Sequence, residues 1–158
     1  MGTDHIKIAE VVHKYHKNIL ILAFTYTKNI QDAEDIAQDV FLELWKRQPD
    51  FESEEHRKAW LLRVTVNKSK NLLKSFWKRN RGDFVTESGA MAETDLDLIQ
   101  AVISLDKKYR LPIHLFYYEG YSIREIAELL HEKETTIGTR LERGRKKLKE
   151  ILGGDYYG

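Results

Sequence analysis

Cysteine is absent from this sequence, and proline occurs only twice. Without cysteine there are no disulfides, thiolate zinc sites, iron–sulfur clusters or thiol nucleophiles. With 2 prolines and 9 glycines among 158 residues, the turn punctuation of an all-β or low-complexity chain is missing too. No apolar run approaches the roughly 20 residues of a membrane span. The opening residues carry Asp4 and Glu10 where a secretory signal would hold an unbroken apolar stretch. Gly-x-Ser-x-Gly, P-loop and dinucleotide fingerprints do not occur, so no catalytic residue and no cofactor is expected. Glu10-x-x-His13, with His16 one turn on, has the spacing of a carboxylate metal site in a helical bundle. The remaining histidines, His5, His56, His114 and His131, supply no second such motif, so no metal is expected either.

What is present is apolar and charged in similar measure. Hydrophobic residues make up 42% and aromatic residues 11%, too apolar for a disordered chain. The length suits one ordinary domain or two small ones. The expectation is a helix-rich, soluble, cytoplasmic protein without membrane insertion.

The formal net charge is only +1, but the charge is sorted along the chain. Residues 32–55 hold nine acids against two bases, a balance of −7. Residues 57–81 hold nine bases and no acid, and residues 140–149 hold six bases against one acid. Two separated basic helices flanking acidic stretches form the footprint of phosphate contacts at two places. Isolated charge runs are commonly solvated helix faces, but 25 residues free of acid in so acidic a chain favour the binding role.

Helical periodicity dominates. Ile6, Ala9, Val12, Tyr15, Ile19, Leu22 and Tyr26 recur at three- and four-residue steps, predicting one or two helices over about 4–27. Asp32 or a near neighbour caps the next helix, whose apolar stripe is Ile36, Val40, Phe41, Leu44 and Trp45 and whose end is Pro49. Ser53 is the following N-cap candidate, with Glu54 and Glu55 in the first turn. A long helix then runs to about 78, burying Trp60, Leu61, Val64, Leu72 and Phe76 or Trp77. Residues 80–94 lose periodicity, hold two glycines and read as a flexible linker. Leu96, Ile99, Val102, Ile103 and Leu105 mark a further helix, and Pro112 is expected to start one over 112–118, closed by Gly120. The fold class is therefore all-α: two small helical modules, 1–79 and 95–158, joined by the linker 80–94.

The second module carries a recognisable unit. Ser122-Ile123-Arg124-Glu125 is a capping box, and Ile126, Ala127, Leu129 and Leu130 bury one face of a short helix. A polar turn over 131–134 comes next. Thr135 or Thr136 is expected to cap a longer basic helix, with Ile137, Leu141, Leu148 and Ile151 inside and Gly153-Gly154 as its stop. A short helix, a tight turn and a longer basic helix make a helix-turn-helix. Its turn holds His131 where glycine is usual, and histidine tolerates positive φ better than most residues do. The second helix would enter the major groove, with Arg143, Lys146 and Lys147 on phosphates. Glu142 is expected to pair with Lys146 one turn on.

With these elements placed, the chain resembles bacterial sigma factors of the extracytoplasmic-function (ECF) type over nearly its whole length. Asp32-Ala33-Glu34-Asp35-Ile36-Ala37-Gln38-Asp39-Val40-Phe41 resembles the family's segment that binds core RNA polymerase. Trp60-Leu61-Leu62-Arg63-Val64-Thr65-Val66-Asn67 resembles its promoter-melting, minus-ten segment. The stretch from Leu115-Phe116-Tyr117-Tyr118-Glu119-Gly120-Tyr121-Ser122 through Leu148 resembles its minus-thirty-five module. The resemblance implies that Asp35, Ile36, Gln38, Asp39, Phe41, Glu43 and Leu44 contact core polymerase, with Phe41 and Leu44 as apolar anchors beside an acidic face. It implies that Arg63, Asn67, Lys70, Asn71 and Lys74 meet the melted minus-ten strand, the two asparagines facing a base edge. It further implies that Arg124, Thr136, Thr139, Arg140, Arg143 and Lys147 read minus-thirty-five duplex, and that an anti-sigma factor is a further partner. Gly138 and Glu142 depart from the family, which commonly has Lys or Arg at the first and an aromatic or basic residue near the second. A stand-alone helix-turn-helix regulator, with the first module for dimerisation or sensing, is the alternative; such a module has no need of an acid-free basic helix.

Overall fold

The structure, a computed structural model, describes residues 2–79 and 96–153, with side-chain surroundings over 8–75 and 100–153. The chain divides into two compact units. The expected linker 80–94 lies outside the described residues, and the expected burial of Phe76 or Trp77 outside those with described side-chain surroundings. Among the described residues every regular element is helical, and no helix is long and apolar enough to cross a membrane.

The first unit packs three helices against one another: α1 (Gly2–Thr27), α2 (Ile30–Arg47) and α3 (Glu54–Arg79). Val11, Tyr15, Ile19 and Ala23 of α1 meet Ile36, Val40 and Leu44 of α2 and Leu61 of α3 in one core. The joint between α1 and α2 is tight. Lys28 takes a left-handed φ of 59°, and the Asn29 side chain accepts the Asp32 N–H at 3.0 Å, so Asn29 supplies the cap. Gln48, left-handed at φ 43°, ends α2 one residue before Pro49. Ser53 caps α3 as expected, its Oγ accepting the His56 N–H at 3.1 Å.

Two expectations about this core change. Trp45 is 45% exposed, because the α2 core face is filled by Ala33, Ile36, Ala37, Val40 and Leu44 and position 45 turns away from it. In α3, Leu62 and Val66 are buried alongside Leu61, while Trp60, Val64 and Leu72 sit half-buried at the core's edge.

The second unit comprises α4 (Leu96–Ser104), α5 (Lys107–Ile113), a wider π-helical turn (His114–Tyr118), α6 (Ile123–Leu130) and α7 (Glu134–Leu152). Its centre is α7, against which α4, α5 and α6 all pack. The helix expected to begin at Pro112 begins five residues earlier, capped by Asp106, and Pro112 lies inside it. Proline removes the N–H that would bond the Lys108 carbonyl and crowds that turn. Just beyond it the helix widens, and the Glu119 N–H reaches back five residues to the His114 carbonyl at 3.2 Å. Gly120, at φ +74°, closes the segment.

Three further expectations in α7 fail. The helix starts at Glu134 with Lys133 as N-cap and no side-chain cap bond, so Thr135 and Thr136 lie inside its first turn. Ile151 is 52% exposed: it continues the row of Ile137, Leu141, Gly144 and Leu148 but stands in the last turn of the helix, next to its Gly153 cap. No ion pair joins Glu142 to Lys146 among the described residues.

Two glycines of α7 have opposite roles. A Cβ on Gly144 would stand 2.5 Å from Ile113 Cδ1 and 3.3 Å from Tyr109 Cβ, so this glycine permits the close approach of α5; a Cβ on Gly138 meets nothing within 4 Å. Gly144→Ala is expected to destabilise the second unit by about 1–3 kcal/mol through overpacking. Gly138→Ala is expected to stabilise it by up to about 1 kcal/mol through helix propensity. Urea unfolding of both variants checks the opposite signs.

His114 sets a pH limit on the same unit. The ring is buried, stacks on Tyr118 at 4.9 Å and, among the described residues, has no hydrogen-bond partner at Nε2. Burial lowers its pKa from 6.5 to about 4. Because the unfolded chain takes the proton first, stability is full above pH 6.5 and falls as pH drops toward 4, by on the order of 3 kcal/mol in total. His114→Phe should flatten this dependence in urea titrations at several pH values.

Candidate polymerase and nucleic-acid interfaces

The face of α2 opposite its core carries Asp35, Gln38 and Asp39, all exposed. Leu42 and Trp45 share that face at 49% and 45% exposure. Ile36, Phe41 and Leu44 are buried in the unit's own core, so the two expected apolar anchors do not stand at the surface. A 3.6-residue period explains this: Ile36, Val40 and Leu44 form one row, and Leu42 and Trp45 fall on the opposite side. Glu43 turns toward α3, pairing with Arg47 at 2.8 Å and with Lys68 at 3.6 Å.

The acid-free run in α3 is divided by its partners. Glu54, in the first turn, accepts the Tyr15 hydroxyl at 2.8 Å and is bridged by Lys14 and Arg57. The Tyr15 bond, ahead of the two cations, holds the Glu54 carboxyl below its usual pKa. Burial first, and then the bond to Glu54, push the Tyr15 phenol up to about 12. This cluster fastens the start of α3 to α1. Phe51, in the loop before α3, meets Trp60 at 5.8 Å between ring centroids and lies beneath the Arg57 guanidinium, which occupies Trp60 in packing.

Arg63, Asn67, Lys70, Asn71 and Lys74 succeed one another at steps of four, three, one and three residues and form one stripe on α3. Lys70 is half-buried and the other four are exposed. Among the described residues none of the five has an ion pair or side-chain hydrogen bond, so the stripe is open to a partner. The structure thus brings together every residue assigned to the minus-ten strand.

In the second unit the capping box forms as expected. Ser122 Oγ accepts the Glu125 N–H at 3.1 Å, and Glu125 Oε1 accepts the Ser122 N–H at 3.0 Å. His131 adopts the left-handed conformation at φ 56° that turns the chain out of α6. Thr136, Thr139, Arg140, Arg143 and Lys147 then line one face of α7. Arg143 and Thr139 are exposed, whereas Thr136 and Arg140 are half-buried. Lys147 lies 5.6 Å from the Tyr109 ring centre. Arg124 stands apart at the start of α6, paired with Glu128 at 3.8 Å. A solvent-open hollow of about 350 Å³ runs beside the α7 face, lined by Lys108, Thr135, Thr136, Thr139, Arg140 and Arg143. Sequence reasoning missed Lys108 and Thr135 here, and Leu42 and Trp45 in the first unit. Leu42 and Trp45 left a readable signal, an i, i+3 apolar pair off the main stripe; Lys108 left none.

The two units match known families. The model of Sigma-70 region 2 matches residues 11–79, and that of Sigma-70 region 4 matches residues 95–148. The chain belongs to the sigma-70 family. Its relatives place it among the ECF sigma factors. It is 26% identical to the ECF RNA polymerase sigma factor SigW of Bacillus subtilis, over 94% of this chain and 90% of the relative. It is 29% identical to the RNA polymerase sigma factor SigV of the same organism, over 81% and 80%. Among solved structures, it is similar to the sigma factor RpoE of Bartonella quintana, solved in complex with the anti-sigma factor NepR. The TM-score is 0.81 and the identity 26%, over 94% of this chain and 98% of that one. Region 2 spans α2 and α3 with their stripes, and region 4 spans the helix-turn-helix.

Among the described residues no three His, Cys, Asp or Glu side chains gather as a metal site, and His16 stacks on Phe41 instead. For the region 4 face, Arg143→Ala is expected to weaken duplex binding evenly across sequences. The slope of log affinity against log salt should shrink by about 0.9, one phosphate contact, in titrations of polymerase holoenzyme.

Proposed function

We propose that this ECF sigma factor divides its work between its units. As a sigma factor it binds core RNA polymerase, recognises promoter DNA and initiates transcription. In the proposed division, residues 1–79 hold core polymerase and open the minus-ten element. Residues 95–158 read minus-thirty-five duplex, and residues 80–94 tether the two. The factor acts in the cytoplasm with no catalysis of its own, and the phosphodiester chemistry belongs to the polymerase.

The observation that carries the reading is the stripe Arg63, Asn67, Lys70, Asn71 and Lys74 on α3, which has no ion pair or side-chain hydrogen bond among the described residues. Its three cations suit a backbone track and its two amides suit an exposed base edge. The α2 face supports polymerase contact through Leu42 and Trp45 as apolar anchors among Asp35, Gln38 and Asp39, an arrangement suited to a basic helical partner. On α7, Thr136, Thr139, Arg140, Arg143 and Lys147 suit the major groove, with Arg124 on the flanking backbone. A stand-alone regulator is not favoured, because the region 2 match occupies residues 11–79, where a dimerisation or sensor module would have to lie. The RpoE relative bound to NepR supports an anti-sigma factor as a further partner.

The division of labour is tested with two double variants. Arg63→Ala with Lys70→Ala is expected to co-elute with bacterial core polymerase on a sizing column like the wild type, yet to lower open-complex formation at least tenfold by permanganate footprinting. Asp39→Arg with Trp45→Ala is expected to lose co-elution while the second unit keeps its unfolding transition. Loss of co-elution in the first variant, or its retention in the second, would overturn the assignment.

A further inference from the structure

We propose that Glu132, in the turn between α6 and α7, is a specificity-determining positioning residue that aims the Arg140 guanidinium at a guanine edge in promoter duplex. The inference rests on the proposed role of α7 in reading promoter DNA. Arg140 lies on the same face as Thr136, Thr139 and Arg143, and its Nη1 donates to Glu132 Oε1 at 3.3 Å. The two side chains are 28% and 38% exposed. Among the described residues Arg143 and Lys147 have no carboxylate partner, so Arg140 is the cation of that face held by an acid from outside α7. The holder is itself held. The Glu132 N–H donates to the Ala127 carbonyl of α6 at 2.9 Å, and the left-handed His131 fixes the exit of the chain.

An ion pair this open to water contributes little to stability, so folding does not account for it. A guanidinium presents its donors as a planar fork. With one nitrogen turned to Glu132, the others remain free to donate as a pair to O6 and N7 of guanine. A long side chain already oriented also loses less rotamer freedom on binding. At the same time Glu132 sets a negative charge beside the DNA backbone, which weakens binding to every sequence. The two effects oppose each other. Glu132 raises discrimination and lowers general affinity, a combination that a residue serving only the fold would not produce.

The test uses the full chain bound to bacterial core RNA polymerase and a pool of duplexes randomised over the upstream promoter element, with the bound fraction sequenced. Wild type should enrich guanine at one position, and Arg140→Ala should erase that enrichment. Glu132→Ala should raise the bound fraction of the pool while lowering the guanine enrichment about fivefold or more. Glu132→Gln keeps an accepting oxygen without the charge, so it should restore most of the enrichment and keep the higher bound fraction. Undiminished enrichment in Glu132→Ala, or a fall in binding to all sequences alike, overturns the proposal. A wild-type pool with no enriched position overturns the promoter-reading role of α7 and the proposal with it.

Discussion

Each unit is small, so each long helix must surrender a whole face to the core, and this burial fixes which side chains are left for partners. In α7 the buried row is Ile137, Leu141, Gly144 and Leu148. The row assigned to DNA, Thr136, Arg140, Arg143 and Lys147, has the same spacing displaced by one residue. In α3 the relation recurs: Leu62, Val66 and Ser69 are buried, and Arg63, Asn67 and Lys70 each lie one residue further on. One residue is about 100° of helical rotation, so each binding row is the core row turned by roughly a quarter of the circumference. The surface proposed to meet nucleic acid is therefore set by the packing beneath it. A change at Gly144 or Val66 shifts the aim of side chains it never touches.

Charge is then allotted by position. The basic run of α3 reads along the chain as one continuous track, but its members do different work. Arg57 is paired with Glu54, and Lys68 with Glu43. Both lie off the open stripe, Lys68 joining α3 to α2, whereas Arg63, Lys70 and Lys74 lie on it without an ion pair among the described residues. Acids are divided likewise. Glu54 and Glu43 serve the fold, while Asp35 and Asp39 face outward. Surface pairs of this kind are individually weak.

Much of this was legible in the sequence. Periodicity gave the long helices, and Ser122 with Glu125 gave the capping box to the residue, because that motif states its own hydrogen bonds. The residues of the α3 and α7 stripes came from the family resemblance, and their three- and four-residue spacing agrees with one face of each helix. What failed depended on neighbours. Phe41 and Leu44 were read as anchors because a single apolar list does not say which members the core takes. Pro112 was placed in a first turn by its usual preference, whereas Asp106 caps the helix further upstream and the proline is carried within it. Gly144 gave no sign of its importance, since only the side chains of Ile113 and Tyr109 across the gap make it necessary.

The widened turn at His114–Tyr118 changes the helical phase of the chain beyond it. Its i→i+5 bonding takes in one residue more per closed ring than an α-helix does, so it holds one residue more than an α-helical turn would. Removing one residue within it would leave an ordinary helix as the fallback. Removing one residue between Glu134 and Leu152 has no such remedy. The remainder of α7 would rotate by about 100°, carrying charged side chains into the core and core side chains toward water. By this geometry, length variation in this unit is better borne at the π turn than within α7.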